Sequence, residues 1–167
     1  NHTLDRRKKA ITNSVNYWNS KSDVLAVGSY LSNEDRDKIN IKEKNNITYT
    51  MLNYTYGTNG IKVPTGKDYL VNVWPCTGNN PSTDTKYQEY KNKVKEDINR
   101  VRDKVDLLIV AMHWGVEYTH TPTSYQIDMA NFLEKQGVDI IIGTHPHVVM
   151  PVTYINDTLV IYSLGNF

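Results

Sequence analysis

Cysteine is nearly absent from this chain: Cys76 is the only one in 167 residues. A single thiol excludes an internal disulfide framework and a cysteine-built metal site. Long apolar runs are missing as well. None approaches the ~18 residues of a membrane-spanning helix, and no signal-peptide pattern opens the chain. Charge of one sign is also lacking, with 19 Lys and Arg against 18 Asp and Glu. That balance provides no basic field of the kind that recruits nucleic acid. Repeats, low-complexity tracts and linkers are absent too, which leaves a single domain over residues 1–167. Both ends look cut, because a helix cue follows Asn1-His2 at once and Phe167 comes directly after an apolar run. The expectation is a fragment of a longer chain. What is plentiful is tyrosine, twelve in all, which suits a half-polar, strand-rich α/β protein.

The organising stretch runs from Asp106 to Pro151. An apolar run, Leu107 to Met112, delivers His113, Trp114 and Gly115 at its end. A second run, Val138 to Ile142, delivers Gly143, Thr144, His145, Pro146 and His147. One helix lies between them, with Thr123 and Gln126 as a capping box, Ile127, Ala130 and Leu133 as its core face, and Gly137 as its end. Strand–helix–strand units of this length place the two strands parallel, with both C-terminal ends on one edge. His113, His145 and His147 then meet at one rim, the edge where α/β sheets bind ligands.

Elsewhere the pattern predicts a helix through Leu4, Ile11, Val15 and Trp18, and a buried strand at Asp23–Tyr30. A charged loop at Asn33–Lys38 and a hairpin through Ile39–Met51 follow. Tyr54–Lys67 reads as a loop, Tyr69–Trp74 as a strand and Asn79–Pro81 as a turn. Ser82 or Thr83 is expected to cap a helix with a stripe of Tyr87, Tyr90, Val94, Ile98 and Val101. A last hairpin turns at Asn156-Asp157.

His145 and His147 are one residue apart. In an extended segment alternate side chains share a side, so both imidazoles are expected to face one point. With His113 on the neighbouring strand end, they suit zinc, manganese or iron. Glu117 reads as an acceptor for an imidazole N–H or a group that orients substrate. Trp114 and Tyr118 read as rim or packing residues, and His120 as a solvated imidazole. Asn166 reads as a loop amide or a ligand-facing one. By composition alone Asp5 is a helix-start carboxylate, and Asn1-His2 carries no weight.

Four segments read together change that weighting: Asn1-His2-Thr3-Leu4-Asp5, His113-Trp114-Gly115-Val116-Glu117-Tyr118, Ile142-Gly143-Thr144-His145-Pro146-His147 and Tyr162-Ser163-Leu164-Gly165-Asn166-Phe167. They resemble the CapA-type bacterial poly-gamma-glutamate capsule synthesis proteins, which look like a branch of the calcineurin-like metallophosphatase superfamily. Tyr54–Gly60 is the best match in the looser middle. The resemblance implies an α/β fold with two packed mixed sheets flanked by helices. It implies Asn1, His113, His145 and His147 as metal ligands for one or two divalent ions (Mn, Zn or Fe) and His2 as general acid. Asp5, Glu117, Tyr118 and Asn166 are left to support substrate or ligands. The superfamily's upstream carboxylates, one of them bridging two metals, have no counterpart here, and they would lie before Asn1. The functions implied are metal-dependent hydrolysis of a phosphoester or of polyglutamate, or a non-catalytic module that binds an anionic polymer. Such a protein is expected at the cell surface, anchored through a segment outside this chain, beside other capsule-assembly membrane proteins.

Overall fold

A computed structural model describes residues 1–75 and 80–166. In chain order the elements are α1 (Arg7–Asn19), α2 (Asn33–Asp37), β1 (Lys42–Lys44), β2 (Ile47–Thr55), α3 (Thr85–Val101), β3 (Leu107–His113), α4 (Ser124–Lys135), β4 (Ile140–Thr144), β5 (Val152–Ile155) and β6 (Thr158–Ile161). The strands form one mixed sheet in the order β1-β2-β3-β4-β6-β5. β2, β3, β4 and β6 run parallel, while β1 and β5 close the two edges antiparallel. The α/β class is as expected. Beyond this sheet, strand pairing among the described residues consists of isolated bridges.

β3 reads LLIVAMH because a parallel strand is covered on both faces and tolerates little polarity. Leu108, Val110 and Met112 are fully buried, while Leu107, Ile109 and Ala111 on the other face are half-buried. Val94, Ile98 and Val101 of α3 and Met129, Ala130 and Leu133 of α4 share the core with that fully buried row. Each such side chain contributes about 1.5–3 kcal/mol on burial, so this face holds the sheet together. A smaller core joins Ile11 and Val15 of α1 to Leu4, Leu70 and Val71. Asp97 of α3 accepts hydrogen bonds from Tyr54, Arg36 and Arg100, tying α2, α3 and β2 together.

Several local expectations need correction. Asp23–Tyr30 is not a strand. It turns at left-handed Gly28 (φ 92), where a Cβ would stand 2.5 Å from Asn53 Oδ1, and pairs only through the bridge Ser29–Val71. Tyr69–Trp74 begins as a 3-10 turn, Asp68–Leu70, and then pairs at single bridges of Val71 and Val73. Asn33–Lys38 is not a loop, because Ser32 Oγ accepts from Asp35 N and starts α2. The first hairpin exists, but Asn45 and Asn46 are both left-handed (φ 51 and 63) and form its tight turn, so β1 starts at Lys42. β2 continues through Tyr54 and Thr55, residues read as loop. Asp84, rather than Ser82 or Thr83, caps α3. On α4 the Thr123–Gln126 capping box is present, but Met129 takes the core position expected of Ile127, which is 46% exposed. The hairpin about Asn156-Asp157 is as read. Cys76, and Asn79 of the Asn79–Pro81 turn, lie outside the described residues.

Candidate metal centre

Parallel pairing aligns the strand ends: Thr55 of β2 pairs with His113 of β3, which pairs with Thr144 of β4. Three segments therefore emerge side by side, and backbone hydrogen bonds lock them. Tyr56 N–H donates to His113 O (3.1 Å), Trp114 N–H to Thr144 O (3.1 Å) and Tyr118 N–H to Pro146 O (2.8 Å). Beneath them the buried Trp114 donates its indole N–H to Tyr162 O at 2.9 Å. Gly143 makes room for that contact, since a Cβ there would stand 2.0 Å from Tyr162 O. Over this base lies a cavity of about 300 Å³ lined by Asn1, His2, Tyr56–Gly60, His113, Glu117, His145 and His147. A cavity of about 440 Å³ between α1 and β2 has Asp35 as its one carboxylate and no histidine.

The three rim imidazoles do meet. Ring centroids of His113 and His145 are 4.7 Å apart, and those of His145 and His147 6.1 Å. The route differs from the expected strand alternation. β4 ends at Thr144, and both His145 (φ 100) and His147 (φ 60) adopt left-handed backbone around Pro146. Non-glycine residues in that region carry strain of about 1–3 kcal/mol each, held here by the surrounding locks.

Each imidazole has one nitrogen engaged. His113 Nδ1 hydrogen-bonds Thr144 Oγ1 (3.1 Å), while its Nε2 is buried without a hydrogen-bond partner. Burial pushes the His113 pKa down to about 3, helped by the terminal amine and the neighbouring imidazoles. The ring is therefore neutral. The Tyr56 hydroxyl hydrogen-bonds His145 Nε2 at 3.1 Å, and its ring stacks on His113. Burial lowers the His145 pKa against the opposing charge of Glu117. His147 Nδ1–H donates to Asn166 Oδ1 at 2.7 Å, which leaves Nε2 as the lone-pair nitrogen, and Tyr118 stacks on the ring at 5.9 Å. His120 instead bonds Val149 O through Nδ1, outside the cavity lining.

On the opposite wall His2 Nδ1–H donates to Asp5 Oδ2 at 2.7 Å. Asn59 Nδ2 donates to Asp5 Oδ1 at 3.1 Å. The His2 bond first, then the Asn59 bond, hold the Asp5 carboxyl below the usual range. All nine residues singled out from the sequence thus lie in the cavity wall or bond or stack on a residue that does. Tyr56, Asn59 and Thr144 were given no role from sequence. Their signal was the Gly-rich YTYGTNG stretch after a strand and the extra Thr before His145-Pro146-His147.

These residues fit a divalent metal. An orphaned buried imidazole nitrogen lies beside two further imidazoles, each with one nitrogen held by a hydrogen bond, as ligating histidines require. In addition, one ligand atom each from Glu117, His145 and His147 lie within 4.8 Å of one another.

Compared with known proteins, the whole chain, residues 1–167, matches the family described as Bacterial capsule synthesis protein PGA_cap. The chain belongs to that family. It is 28% identical over 168 residues to the "PGA biosynthesis protein CapA" of Bacillus subtilis (strain 168), covering 100% of this chain and 40% of that protein. It is 37% identical over 76 residues to the "Capsule biosynthesis protein CapA" of Bacillus anthracis, covering 43% of this chain and 18% of that protein. The chain thus spans about two fifths of the longer-matching PGA_cap relative. The four segments that carry the sequence resemblance, the last of them as far as Asn166, each contribute to this rim or its support.

Proposed function

We propose that this domain is the metal-dependent hydrolytic module of a capsule-biosynthesis protein working at the cell envelope. Its substrate would be a phosphoester or the backbone of an anionic polymer such as poly-gamma-glutamate. One observation carries the reading: three imidazoles with free or fixed lone pairs share a cavity with a His–Asp pair. Asn1, His113, His145 and His147 would hold the ion. When bound, a divalent metal polarises the scissile group and makes hydroxide available near neutral pH. His2 handles the proton. With Nδ1–H tied to Asp5, its Nε2 is the nitrogen left to protonate the leaving atom. Asn59 braces Asp5, so the imidazole keeps its orientation. The names of the two relatives support the capsule role. No helix among the described residues is long and apolar enough to cross a membrane.

A second reading, polymer holding without cleavage, has its own support. Glu117 is the one carboxylate among the described cavity-lining residues, so the cavity offers a single charged oxygen donor. Exposed Tyr118 stacked on His147 offers a surface for a polymer.

Metal content and cleavage of a phosphodiester and of polyglutamate separate the two. The hydrolase reading expects a bound ion and cleavage that is lost in the His113→Ala, His145→Ala double variant. It further expects His2→Gln to lower kcat by about 10²–10⁴-fold while keeping the metal. An ion retained with no cleavage of either substrate leaves the holding module. No bound ion overturns the metal reading.

A further inference from the structure

We propose that Glu117 is itself a metal ligand, forming with His145 and His147 a two-histidine, one-carboxylate site. This deepens the metal reading above and rests on it. The fold-family resemblance assigns Glu117 only a supporting place, so the geometry adds a charged oxygen donor to a neutral set.

Three observations carry it. First, a carboxylate oxygen of Glu117 and one ring nitrogen each of His145 and His147 lie mutually within 4.8 Å. Donors on one ion at 2.0–2.2 Å stand about 3.4 Å apart in a tetrahedral site, so modest side-chain rotations of these three residues would bring them to ligating distance. Second, the two loops are clamped together. The Tyr118 N–H to Pro146 O bond sets the residue after Glu117 against the residue between the histidines. Left-handed Gly115 (φ 86) and Tyr118 (φ 59) bend the first loop over the second, and a Cβ at Gly115 would strike the Gln126 side chain at 2.8 Å. Third, His147 is oriented: its Nδ1–H is committed to Asn166 Oδ1, which leaves Nε2 as the ring nitrogen available to an ion.

Charge decides what this contributes. Imidazoles and an amide leave a dication's charge uncompensated, whereas one carboxylate halves it. The donor set His2Glu is also one that accepts zinc, and with open positions iron, so the ion keeps sites free for substrate. His113 Nε2, buried and unpartnered on the inner wall, can complete the coordination from β3.

The test uses Co²⁺ as the probe, followed by titration calorimetry and by its visible absorption. Glu117→Gln keeps the shape and removes the charge. A ligand role expects Co²⁺ affinity to fall at least ~10-fold and the visible band to change. It also expects the carboxylate infrared shift on metal addition to vanish in Glu117→Gln and persist in Glu117→Asp. A positioning role would weaken binding but leave no infrared shift in the wild-type protein. The inference is overturned if Glu117→Gln binds with unchanged affinity and spectrum while His145→Ala and His147→Ala lose the ion; the metal reading then survives. Absence of Co²⁺ binding in the wild type overturns both. Circular dichroism of each variant confirms that the fold is kept.

Discussion

Tyr56 touches two of the three rim histidines: its hydroxyl bonds His145 Nε2, and its ring stacks on His113. With Nε2 occupied by that hydroxyl, Nδ1 is the His145 nitrogen left open to an ion. Tyr56→Phe keeps the stack and deletes the bond. Metal affinity is expected to fall about 10-fold with thermal stability nearly unchanged, read by chelator competition and a melting curve. Tyr56→Ala, which deletes the stack as well, is expected to lower both. At this scale the sequence was informative about residue type and poor about geometry. His145 and His147 were legible as a pair because one intervening residue keeps two imidazoles close in most backbones. Their left-handed backbone was not, since Pro146 restrains the residue before it toward extended conformations, not φ 100. Tyr56 was invisible for a different reason: its partners lie on β3 and after β4, and one tyrosine among twelve carries no local mark.

Among the elements, the parallel trio β3, α4 and β4 was readable because several signals agree there. Apolar runs of strand length flank a helix that opens on the Thr123–Gln126 box and is followed by left-handed Gly137. Segments with a single signal were misread. Asp23–Tyr30 has the composition of a buried strand, but pairing needs a partner edge, and β2 already pairs β1 and β3. Asn33–Lys38 has no apolar period at all, and only the Ser32 cap makes it helical. The least replaceable position in the trio is Gly143, packed under Tyr162 O and the Trp114 indole. Gly143→Ala is expected to destabilise by about 3 kcal/mol, the upper end of overpacking costs, seen as a lower urea midpoint at constant slope. Because backbone and indole must both shift, the rim should loosen with it, and metal affinity should drop in the same variant.

For the whole molecule, the buried histidines make acid a weak point. An imidazole whose folded pKa lies below its ordinary value of about 6.5 binds fewer protons folded than unfolded, so stability falls as pH drops through that value. For His113 the loss continues until about pH 3, and His145 adds to it from its own lowered pKa. The carboxyls of Asp5, Asp37 and Asp106, all held below the usual range by hydrogen bonds or ion pairs, add a further loss below about pH 4. Melting temperature of the metal-free protein is thus expected to decline from about pH 6.5 downward. The decline should be shallower in His113→Gln; an unchanged slope there would mean the ring protonates in the fold.

The two walls of the cavity differ in how the chain reaches them. Glu117, His145 and His147 lie within a contiguous strand–helix–strand unit, whereas His2 and Asp5 come from the far end of the chain. Loop-closure entropy grows with the logarithm of length, so bringing His2 to His145 costs roughly 1.4 kcal/mol more than closing Glu117 onto it. The order of assembly follows. The wall of Glu117, His145 and His147 can form first, and under the metal reading an ion caught there would stabilise a half-folded chain before α1 has docked. The wall of His2 and Asp5 closes afterwards, so under the hydrolase reading grip would precede reactivity, and a chain that has only begun to fold would hold an ion before it had a group in place to move the proton.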